Sequence, residues 1–273
     1  MHSLLILSRR AADYHRLVGA AQLPDLAITS TTDAEEARAR AGEYDVMLGE
    51  PSLFRHVLPA MTALRWAQAT WAGVEPLLDP SLRRDYILTN ARGVFGGLMS
   101  EYVFAYLLAH ERRIFEKHAS QVAGRWNATP PGTLRGKQIG LLGVGSIGGA
   151  LARTAKHFGM RVGGYTRASE GCPDVDVYFH GDSRVAFATN LDYLVSVVPT
   201  TAGTRHIVDA ALLGALPPHA IFINPGRGSV VDEPALAAAL SAPEDIAPVF
   251  IENYRRLLRR EPLLHQVDFE LGY

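Results

Sequence analysis

The segment 137–167 constrains the fold of this chain more than any other part of its sequence. It reads KQIGLLGVGSIGGALARTAKHFGMRVGGYTR: an apolar run, a glycine-rich turn, a helical pattern and a second apolar run. Two neighbouring strands joined through a helix lie parallel to each other. The helix carries the chain back to the edge at which the first strand began, so the second strand runs in the same direction. The segment therefore predicts a βαβ unit within a parallel sheet.

The same alternation extends over most of the chain and predicts an α/β fold. The strand-like runs outside this segment are LLILS, YDVMLGE, LRWAQATWAG, YILTNA, NLDYLVSVVP and HAIFINP. A long helical pattern covers 98–121 and is apolar nearly all round at its start, and a connector rich in glycine and proline covers 124–138. We therefore expect two domains, a first over 1–97 and a second over 98–242.

Composition argues against several kinds of partner. The 273 residues carry a formal net charge of −1, which does not suit nucleic acid. No apolar run reaches the ~18–20 residues that span a bilayer. The opening MHSLLILS is expected to be a buried strand rather than a signal peptide, since arginines follow its short apolar run. The lone Cys172 rules out an internal disulfide and fits a reducing compartment. We expect a cytoplasmic protein that binds neither membrane nor nucleic acid.

The glycine turn is the first candidate binding site. Gly143, Gly145 and Gly148 form G-x-G-x-x-G after an apolar strand and at the start of a helix, the context in which this pattern binds a dinucleotide. Glycine lets the backbone approach a pyrophosphate, and the helix start supplies N–H groups and the positive end of the helix dipole. We predict a dinucleotide site here, with a purely structural turn as the alternative.

The loop after the second strand bears on the choice between NAD(H) and NADP(H). An NAD site usually has a carboxylate there to hold the ribose 2′-hydroxyl. In this loop no carboxylate precedes Glu170. The guanidinium of Arg167 can bind a 2′-phosphate instead, with Thr166 and Ser169 beside it. We therefore predict that NADP(H) is preferred and NAD(H) possible. The alternative is that Arg167 is a solvated loop residue and the site accepts both.

Longer motifs cover nearly the whole chain and are far more specific than the glycine turn. They are TWAGVE at 70–75, FGGLMSEYV at 95–103, LRGKQIGLLGVGSIG at 134–148, VSVVPTTAGTRHIV at 195–208 and FINPGRGSVVDEPAL at 222–236. Together they resemble the D-isomer-specific 2-hydroxyacid dehydrogenases, most closely the glyoxylate/hydroxypyruvate reductase branch. The resemblance implies an α/β fold of two doubly wound domains. One is a flavodoxin-like substrate domain over 1–97, completed by a C-terminal helix within 243–273. The other is a Rossmann NAD(P)-binding domain over 98–242.

The resemblance also implies an activity and roles for single residues. The activity is NADP(H)-dependent reduction of a small 2-oxo acid to the D-2-hydroxy acid. A loop of the first domain would hold the substrate carboxylate through the backbone of Trp71, Ala72, Gly73 and Val74. Arg227 would bind the carboxylate and the reacting carbonyl. The further cofactor-lining residues would be Met99, Ser146, Ile147, Val198, Pro199, Thr204, Asn224 and Pro225.

Arg227 suits the chemistry of such a reaction. A 2-oxo acid presents a carboxylate beside a ketone, and a planar guanidinium can address oxygens of both. Negative charge grows on the ketone oxygen as hydride arrives, so a fixed cation there stabilises the transition state more than the ground state. Arg227 lies between two glycines just past a predicted strand end, where sites form in doubly wound sheets. We predict that it is catalytic, with a structural arginine at the strand end as the alternative.

The proton donor that the resemblance implies has no counterpart in this sequence. In the family a histidine, oriented by a glutamate, protonates the new alkoxide. Both residues would lie between the helix EPALAAAL, which begins at Glu233, and the stretch PEDIAPVF, which begins at Pro243. The histidines that are present, including His206 and His219, are predicted to be surface or packing residues. The chain therefore departs from the family at the position of its general acid.

Two explanations of this departure are open. The favoured one is a segment between Ala242 and Pro243 that belongs to the folded protein but is absent from this sequence. A connector of about three residues spans only ~10 Å, and the loss of two strands would expose an apolar sheet edge. With the segment, the protein would be an NADPH-dependent reductase. With a true deletion, general acid catalysis of ~10²–10⁴-fold is lost, which leaves at best a non-catalytic dinucleotide-binding remnant.

Three further expectations complete the sequence analysis. The helix at 98–121 is predicted to form the two-fold contact of a homodimer through the nucleotide domains. Asp232 and Glu233 are interpreted as caps of the helix that follows them. The spacing of Asp174, Asp176 and His180 is not that of a metal site without further ligands, so no metal is predicted.

Overall fold

The chain forms two compact units, and the boundary between them falls after Glu101. The computed structural model describes residues 1–240 and 243–264, with side chains described except at 243–249. The predicted domain limits at 97 and 242 stay predictions, and so does the completion of the first domain by a C-terminal helix.

The first unit is a five-stranded parallel sheet with helices packed on it. Its strands are β1 (His2–Leu7), β2 (Leu26–Thr31), β3 (Val46–Gly49), β4 (Trp66–Ala69) and β5 (Ile87–Thr89). Its helices are α1 (Ala11–Ala20), α2 (Ala34–Ala39) and α3 (Pro51–Val57). The strand order is β2-β1-β3-β4-β5. This is the order of flavodoxin-like folds and confirms the predicted fold class of this unit.

The two faces of the first sheet are covered to different extents. Leu5 and Leu7 face one side, where they form a core with residues of α2 and α3. Leu4 and Ile6 face the other side, where α1 packs, because successive side chains of a strand alternate between faces. An apolar groove of about 550 Å³ includes the first residues of β1, β3 and β4. It therefore lies at the amino ends of these strands, away from the carboxyl ends where α/β proteins place their sites.

The second unit is also a five-stranded parallel sheet. Its strands are β6 (Gln138–Leu142), β7 (Arg161–Tyr165), β8 (Val177–Phe179), β9 (Tyr193–Ser196) and β10 (Ile221–Ile223). The remaining helices are α4 (Gly96–Glu111), α5 (Ile114–Val122), α6 (Ser146–His157), α7 (Arg184–Ala188), α8 (Ala210–Ala215), α9 (Glu233–Leu240) and α10 (Pro243–Arg259). The sheet order β10-β9-β6-β7-β8 is the 3-2-1-4-5 order of a Rossmann fold when numbered from β6. The predicted fold class is confirmed here as well.

The central strand β6 is buried on both faces, as expected of a parallel sheet covered by helices. On one face Ile139 and Leu141 pack with residues of α4 and α6, and on the other Leu142 packs with residues of α7 and α8. A β-carbon at Gly140 would overlap the side chains of Leu191 and Phe187, so a larger residue there would displace part of the core. The βαβ unit predicted from the sequence is thus the centre of this unit's core.

The helix predicted over 98–121 is two helices, so its continuity was predicted wrongly. Arg113 separates α4 from α5 and has a φ of +54°, in the left-handed region. Glu111, the last residue of α4, is buried; its carboxylate accepts a hydrogen bond from the hydroxyl of Tyr193, and its main-chain oxygen accepts one from the N–H of Gly132 at 2.8 Å. These bonds occupy the end of α4, and the chain turns there. No helix in the described ranges has the length and apolar character needed to cross a membrane.

Carboxylates hold the amino ends of three strands. Asp45, Asp192 and Asp176 accept hydrogen bonds at 2.8, 2.8 and 2.7 Å from N–H groups within the first two residues of β1, β6 and β7. Each also pairs with a neighbouring base. Burial favours the neutral form of these carboxyls, but the hydrogen bonds and nearby positive charges outweigh it, so the pKa of each lies below its usual value.

Candidate functional site

Four loops at the carboxyl edge of the second sheet carry most of the predicted site residues. They follow β6, β7, β9 and β10, and because these strands are parallel their carboxyl ends lie along one edge. Packing joins three of them directly: a β-carbon at Gly143 would meet Val198, and one at Gly226 would meet main-chain oxygens of Ser196 and Val198. The predicted residues on the four loops and at the start of α6 are Gly143, Gly145, Ser146, Ile147, Gly148, Thr166, Arg167, Ser169, Val198, Pro199, Thr204, Asn224, Pro225 and Arg227.

The glycines of the turn after β6 have different reasons to be glycine. Gly143 has a φ of +99°, a conformation that other residues rarely adopt. A β-carbon at Gly148 would overlap the main-chain oxygen of Gly143, so only glycine lets α6 begin this close to the end of β6. A β-carbon at Gly145 would have no atom within 4 Å. The first and third glycines therefore serve the protein's own packing, whereas the second borders open space.

The start of α6 has free hydrogen-bond donors. Gly145 is its N-cap, and no side chain caps the helix. The N–H of Gly149 bonds to the main-chain oxygen of Gly145 at 2.8 Å and is the first to find an acceptor within the helix. Among the described residues, the N–H groups of Ser146, Ile147 and Gly148 have no acceptor, as expected of a first turn. Together with the helix dipole these donors suit a phosphate.

The loop after β7 offers an unpaired cation. The N–H of Thr166 donates to the main-chain oxygen of Phe179 at 3.1 Å, and its hydroxyl donates to that of Ser169 at 2.8 Å. These bonds close the loop around Arg167. The guanidinium of Arg167 belongs to an exposed residue and forms no hydrogen bond or ion pair with any other residue in the described part of the chain. It is available to an anionic ligand.

A contact beside this loop was not predicted from the sequence. Nε2 of His180, the residue after β8, lies 2.7 Å from the carboxylate of Glu170, and Nδ1 lies 3.0 Å from the main-chain oxygen of Thr166. The hydrogen bond to Glu170, followed by the bond to Thr166, raises the pKa of His180 above its ordinary value. The sequence suggests only one role for His180, that of a metal ligand, which its spacing from Asp174 and Asp176 does not support. The nine residues between Glu170 and His180 contain no pattern that signals their contact.

The loops after β9 and β10 are ordered by their own polar groups. The hydroxyl of Thr204 donates to the main-chain oxygen of Pro199 at 2.6 Å. The side-chain amide of Asn224 donates to the main-chain oxygen of Arg227 at 2.9 Å, and its oxygen accepts from the N–H of Gly226 at 3.2 Å. Asn224 therefore fixes the backbone from which Arg227 projects. Arg227 itself is exposed, and one of its guanidinium nitrogens lies 3.4 Å from the main-chain oxygen of Gly226.

The predicted substrate loop of the first unit presents N–H groups. Trp71, Ala72, Gly73 and Val74 follow β4 directly. Their carbonyls are in use: those of Trp71, Ala72 and Val74 accept hydrogen bonds at 3.2, 2.8 and 2.8 Å. Within the described residues none of their N–H groups has an acceptor. A cavity of about 410 Å³, lined by Val74, Leu88, Thr89 and Asn90, lies beside this loop. Four neighbouring free donors form a suitable site for a small carboxylate.

Met99 stands apart from the other predicted cofactor residues. It lies in the first turn of α4 and is half-buried, and its N–H donates to the main-chain oxygen of Phe95 at 3.0 Å. Because the boundary between the two units falls after Glu101, Met99 belongs to the first unit, whereas the other predicted cofactor residues belong to the second.

The structure also locates the groups considered as proton donors and caps. Asp232 accepts a hydrogen bond from the N–H of Ala235 at 3.1 Å, which confirms it as the cap of α9. His206 donates its own main-chain N–H to the main-chain oxygen of Ser229 at 3.1 Å and is exposed.

The join between Ala242 and Pro243 lies outside the described residues. Across the described ranges, no His, Cys, Asp and Glu side chains cluster in a way that could hold a metal ion.

Comparison with known proteins identifies the family. Residues 104–247 match the family model described as "D-isomer specific 2-hydroxyacid dehydrogenase, NAD binding domain". The protein named "Glyoxylate reductase" from Thermococcus litoralis is 35% identical over 175 residues, which are 60% of this chain and 52% of that protein. The match thus spans about half the length of this relative.

Two solved structures share the fold over the whole chain. A D-isomer specific 2-hydroxyacid dehydrogenase family protein from Aeromonas salmonicida has a TM-score of 0.82 at 34% identity, over 98% of this chain and 99% of that one. A D-isomer specific 2-hydroxyacid dehydrogenase from Xanthobacter autotrophicus, in complex with NADPH and MES, has a TM-score of 0.75 at 26% identity, over 100% and 99%. With the sheet order and the glycine turn, these matches show that the chain belongs to the D-isomer-specific 2-hydroxyacid dehydrogenases, a family of oxidoreductases with an NAD-binding domain.

Proposed function

We propose that this protein binds NADP(H) in preference to NAD(H) and uses NADPH to reduce a small 2-oxo acid, such as glyoxylate or hydroxypyruvate, to the D-2-hydroxy acid. One observation carries the proposal: the uncapped start of α6 behind a turn whose middle residue, Gly145, borders open space. The free N–H groups and the open space fit a pyrophosphate. The residues at this edge therefore suit the cofactor of the family.

The preference for NADP(H) rests on Arg167. Its exposed guanidinium has no described partner, so it can form charge-assisted hydrogen bonds with a 2′-phosphate. The Xanthobacter relative was solved with NADPH, which supports the same assignment. Glycines of the turn, Ser146 and Ile147 would hold the pyrophosphate, and Thr166, Arg167 and Ser169 the adenosine ribose. The residues that would line the remainder of the cofactor are Met99, Val198, Pro199, Thr204, Asn224 and Pro225.

Substrate binding is assigned to two groups of donors. In the first unit, the free N–H groups of Trp71, Ala72, Gly73 and Val74 would hold the carboxylate of the acid. In the second unit, the guanidinium of Arg227 would bind the carboxylate and the ketone oxygen. The bound cofactor would supply the hydride. Arg227 would stabilise the negative charge that develops on the ketone oxygen with its own positive charge.

A non-catalytic dinucleotide-binding protein is the second candidate function. The sequence observation in its favour is that only Ser241 and Ala242 separate α9 from α10, where the resemblance requires a glutamate and a histidine. Both candidates share the cofactor site and differ in turnover. They are therefore separated by kinetics and not by binding.

We also propose a homodimer formed through the second unit. Large apolar side chains of α4, α5 and the connector after them are exposed: Tyr102, Tyr106, Ile114, Phe115, Val122 and Trp126. The exposed fraction of Trp126 is 93%. An exposed patch of this kind marks an interaction surface more often than a free one, and a two-fold contact buries the same patch on both copies.

We expect the protein to act in the cytoplasm.

Two glycines of the turn, Gly145 and Gly148, give a first prediction. Gly145→Ala should leave folding intact, because its β-carbon enters open space at a φ of −88°, yet lower NADPH affinity by about tenfold or more by filling the pyrophosphate position. Gly148→Ala should lower the melting temperature. Gly149→Ala is the control, since its β-carbon makes only an ordinary contact, 3.8 Å from Cys172 Sγ. Thermal unfolding and NADPH titration calorimetry measure both effects; full NADPH affinity in Gly145→Ala would contradict the assignment.

The role of Arg167 is tested by comparing the two cofactors. Arg167→Gln should weaken NADPH binding about 10–100-fold, since a hydrogen bond to a charged group contributes ~1.5–3 kcal/mol, and should leave NADH binding unchanged. Arg161→Gln is the matched control, because Arg161 lies at the amino end of β7, the strand that precedes the loop of Arg167. It should change neither NADPH binding nor NADH binding. Calorimetric titration of each variant with NADPH and with NADH gives the answer. Equal losses for both cofactors would remove the 2′-phosphate assignment.

Catalysis is tested by following NADPH absorbance with glyoxylate and hydroxypyruvate. The full chain should oxidise NADPH with at least one of them, and Arg227→Lys should lower kcat/KM about 10²-fold with NADPH affinity retained, because an ammonium cannot replace the planar guanidinium. Absence of turnover with every short 2-oxo acid, together with normal NADPH binding, would overturn the reductase and favour the second candidate.

The dimer is tested by gel filtration with light scattering. The chain of 29.7 kDa should elute at about twice that mass. Tyr106→Glu combined with Phe115→Glu should yield monomers by placing charges in the contact. Leu17→Glu, at an exposed position of α1 in the first unit, is the control and should remain dimeric. A monomeric wild-type chain at micromolar concentration would refute this interface.

A further inference from the structure

His180 contacts Glu170, the first carboxylate after Arg167 in the loop that follows β7. Its imidazole faces the main-chain oxygen of Thr166, 3.0 Å from Nδ1, and the carboxylate of Glu170, 2.7 Å from Nε2. The hydroxyl of Thr166, which donates its hydrogen to the main-chain oxygen of Ser169, also lies 3.2 Å from Nδ1. The N–H of His180 is fixed in turn by the hydroxyl of Ser183 at 2.8 Å. The side chain of Tyr178 stacks parallel to the imidazole, with ring centroids 6.3 Å apart. These contacts position the ring from its own strand, from the turn after it and from the cofactor loop.

The partners of the ring favour a proton on both of its nitrogens. A carbonyl oxygen and an ionised carboxylate are both acceptors only, so each nitrogen must donate. Only the imidazolium has two N–H groups. The positive charge of the imidazolium neutralises the negative charge of Glu170 across the hydrogen bond. The direction of the pKa of His180, raised by the bond to Glu170 first and the bond to Thr166 second, agrees with this geometry.

Glu170 has the chemistry to oppose NADP(H) binding. It follows Arg167 by three positions in the same loop. A carboxylate in this loop accepts a hydrogen bond from the ribose 2′-hydroxyl of NAD(H), and it repels the 2′-phosphate of NADP(H). Bound to His180, Glu170 has one of its two oxygens occupied and its negative charge compensated. The loop then presents Arg167 as its one uncompensated charge among the described residues at 166–170.

We propose that His180 is a positioning residue that sets the cofactor preference of this protein: by binding Glu170 it disables the NAD-type acceptor and leaves Arg167 to bind the 2′-phosphate. This inference rests on the proposed binding of NADP(H) at the edge of the second sheet. The proposed preference for NADP(H) then depends on two loops: the loop after β7, which carries Arg167, and the loop after β8, which carries His180.

The preference should consequently depend on pH. The pKa of His180 is raised above its ordinary 6.5, so the ion pair is complete below that value and is lost as pH rises through the raised pKa. Above it, the ring is neutral, and the negative charge of Glu170 is no longer compensated. The titratable groups that meet the ring are Glu170 and Tyr178; Thr166 and Ser183 contribute only hydroxyl and backbone groups.

The sign of this pH effect separates it from titration of the ligand. A phosphate monoester gains its second negative charge near pH 6, so its own titration strengthens binding to Arg167 as pH rises. Loss of the charge compensation at Glu170 acts in the opposite direction. We expect the ratio of NADPH to NADH affinity to fall about three- to tenfold between about pH 6.5 and about pH 9, the size of one nearby solvated charge.

A double-mutant cycle read by calorimetric titration with NADPH and with NADH tests the proposal without relying on turnover. His180→Ala should lower the ratio of NADPH to NADH affinity about three- to tenfold at low pH by freeing Glu170. Glu170→Gln should preserve the ratio and abolish its pH dependence. The double variant should recover the wild-type ratio, since no carboxylate remains to be released. His15→Ala, which removes an exposed imidazole bonded to Ser30 in the first unit, is the matched control and should change nothing.

The outcomes separate this inference from the proposed function. Failure of the wild-type chain to bind either dinucleotide would refute the cofactor site itself. Normal NADPH binding with additive losses in the cycle, or equal losses for both dinucleotides in His180→Ala, would show a merely structural role and overturn the inference alone. Circular dichroism melting of each variant identifies any that is unfolded. In that case His180→Gln, which keeps one donor but no charge, replaces His180→Ala in the cycle.

Discussion

The approach of Gly148 to the main-chain oxygen of Gly143 is the contact on which the second unit depends. Because neither residue has a β-carbon, α6 begins directly at the end of β6, and its first N–H groups face outward from the sheet edge with no acceptor among the described residues. Gly143 also packs against Val198 of the loop after β9. One backbone contact therefore sets both the donors of the turn and the position of a second loop at the same edge.

The two edges of the second sheet differ in how their polar groups are satisfied. At the amino edge, Asp192 and Asp176 accept backbone N–H groups and pair with Lys137 and Lys156, so charges there are neutralised within the protein. At the carboxyl edge, the N–H groups of α6 and the guanidinium of Arg167 have no described partner. The formal net charge of the chain is only −1. An anion site thus arises from arrangement and not from a basic composition.

The sequence predicted the central strands of both sheets and the outermost strands β5 and β10, but neither β2 nor β8. Both are outermost strands of their sheets and have half-buried or exposed residues along their length. Such strands lack the continuous apolar run that marks β6 and β9, whose burial on both faces makes them recognisable. The break at Arg113 was missed for a related reason, since the buried bond between Glu111 and Tyr193 joins positions that are distant in sequence. Local pattern does not contain it.

The same limit applies to the candidate site. Residues that act through backbone geometry, such as the glycines of the turn, leave a spacing that can be read from the sequence. Arg227 was identified because its glycine neighbours and its strand end form a motif. The pairing of His180 with Glu170 has no such signature, because it depends on where the loop after β7 meets the end of β8. Interactions between side chains of different loops require the fold before they can be recognised.

Reduction of a 2-oxo acid requires stabilisation of the developing negative charge and delivery of a proton. The residues proposed for the site of this chain are suited to the first requirement and not to the second. Arg227 is suited to hold the negative charge of the new alkoxide, but a guanidinium does not lose a proton in proteins and cannot supply one. An alkoxide beside a fixed cation is less basic than in water, so protonation by solvent remains available, though without the ~10²–10⁴-fold gain from a positioned acid. Proton transfer takes place after both ligands are bound. A chain without the family's histidine should therefore show its deficit in kcat, while the affinities for cofactor and acid remain those of the proposed sites at the glycine turn, Arg167 and Arg227.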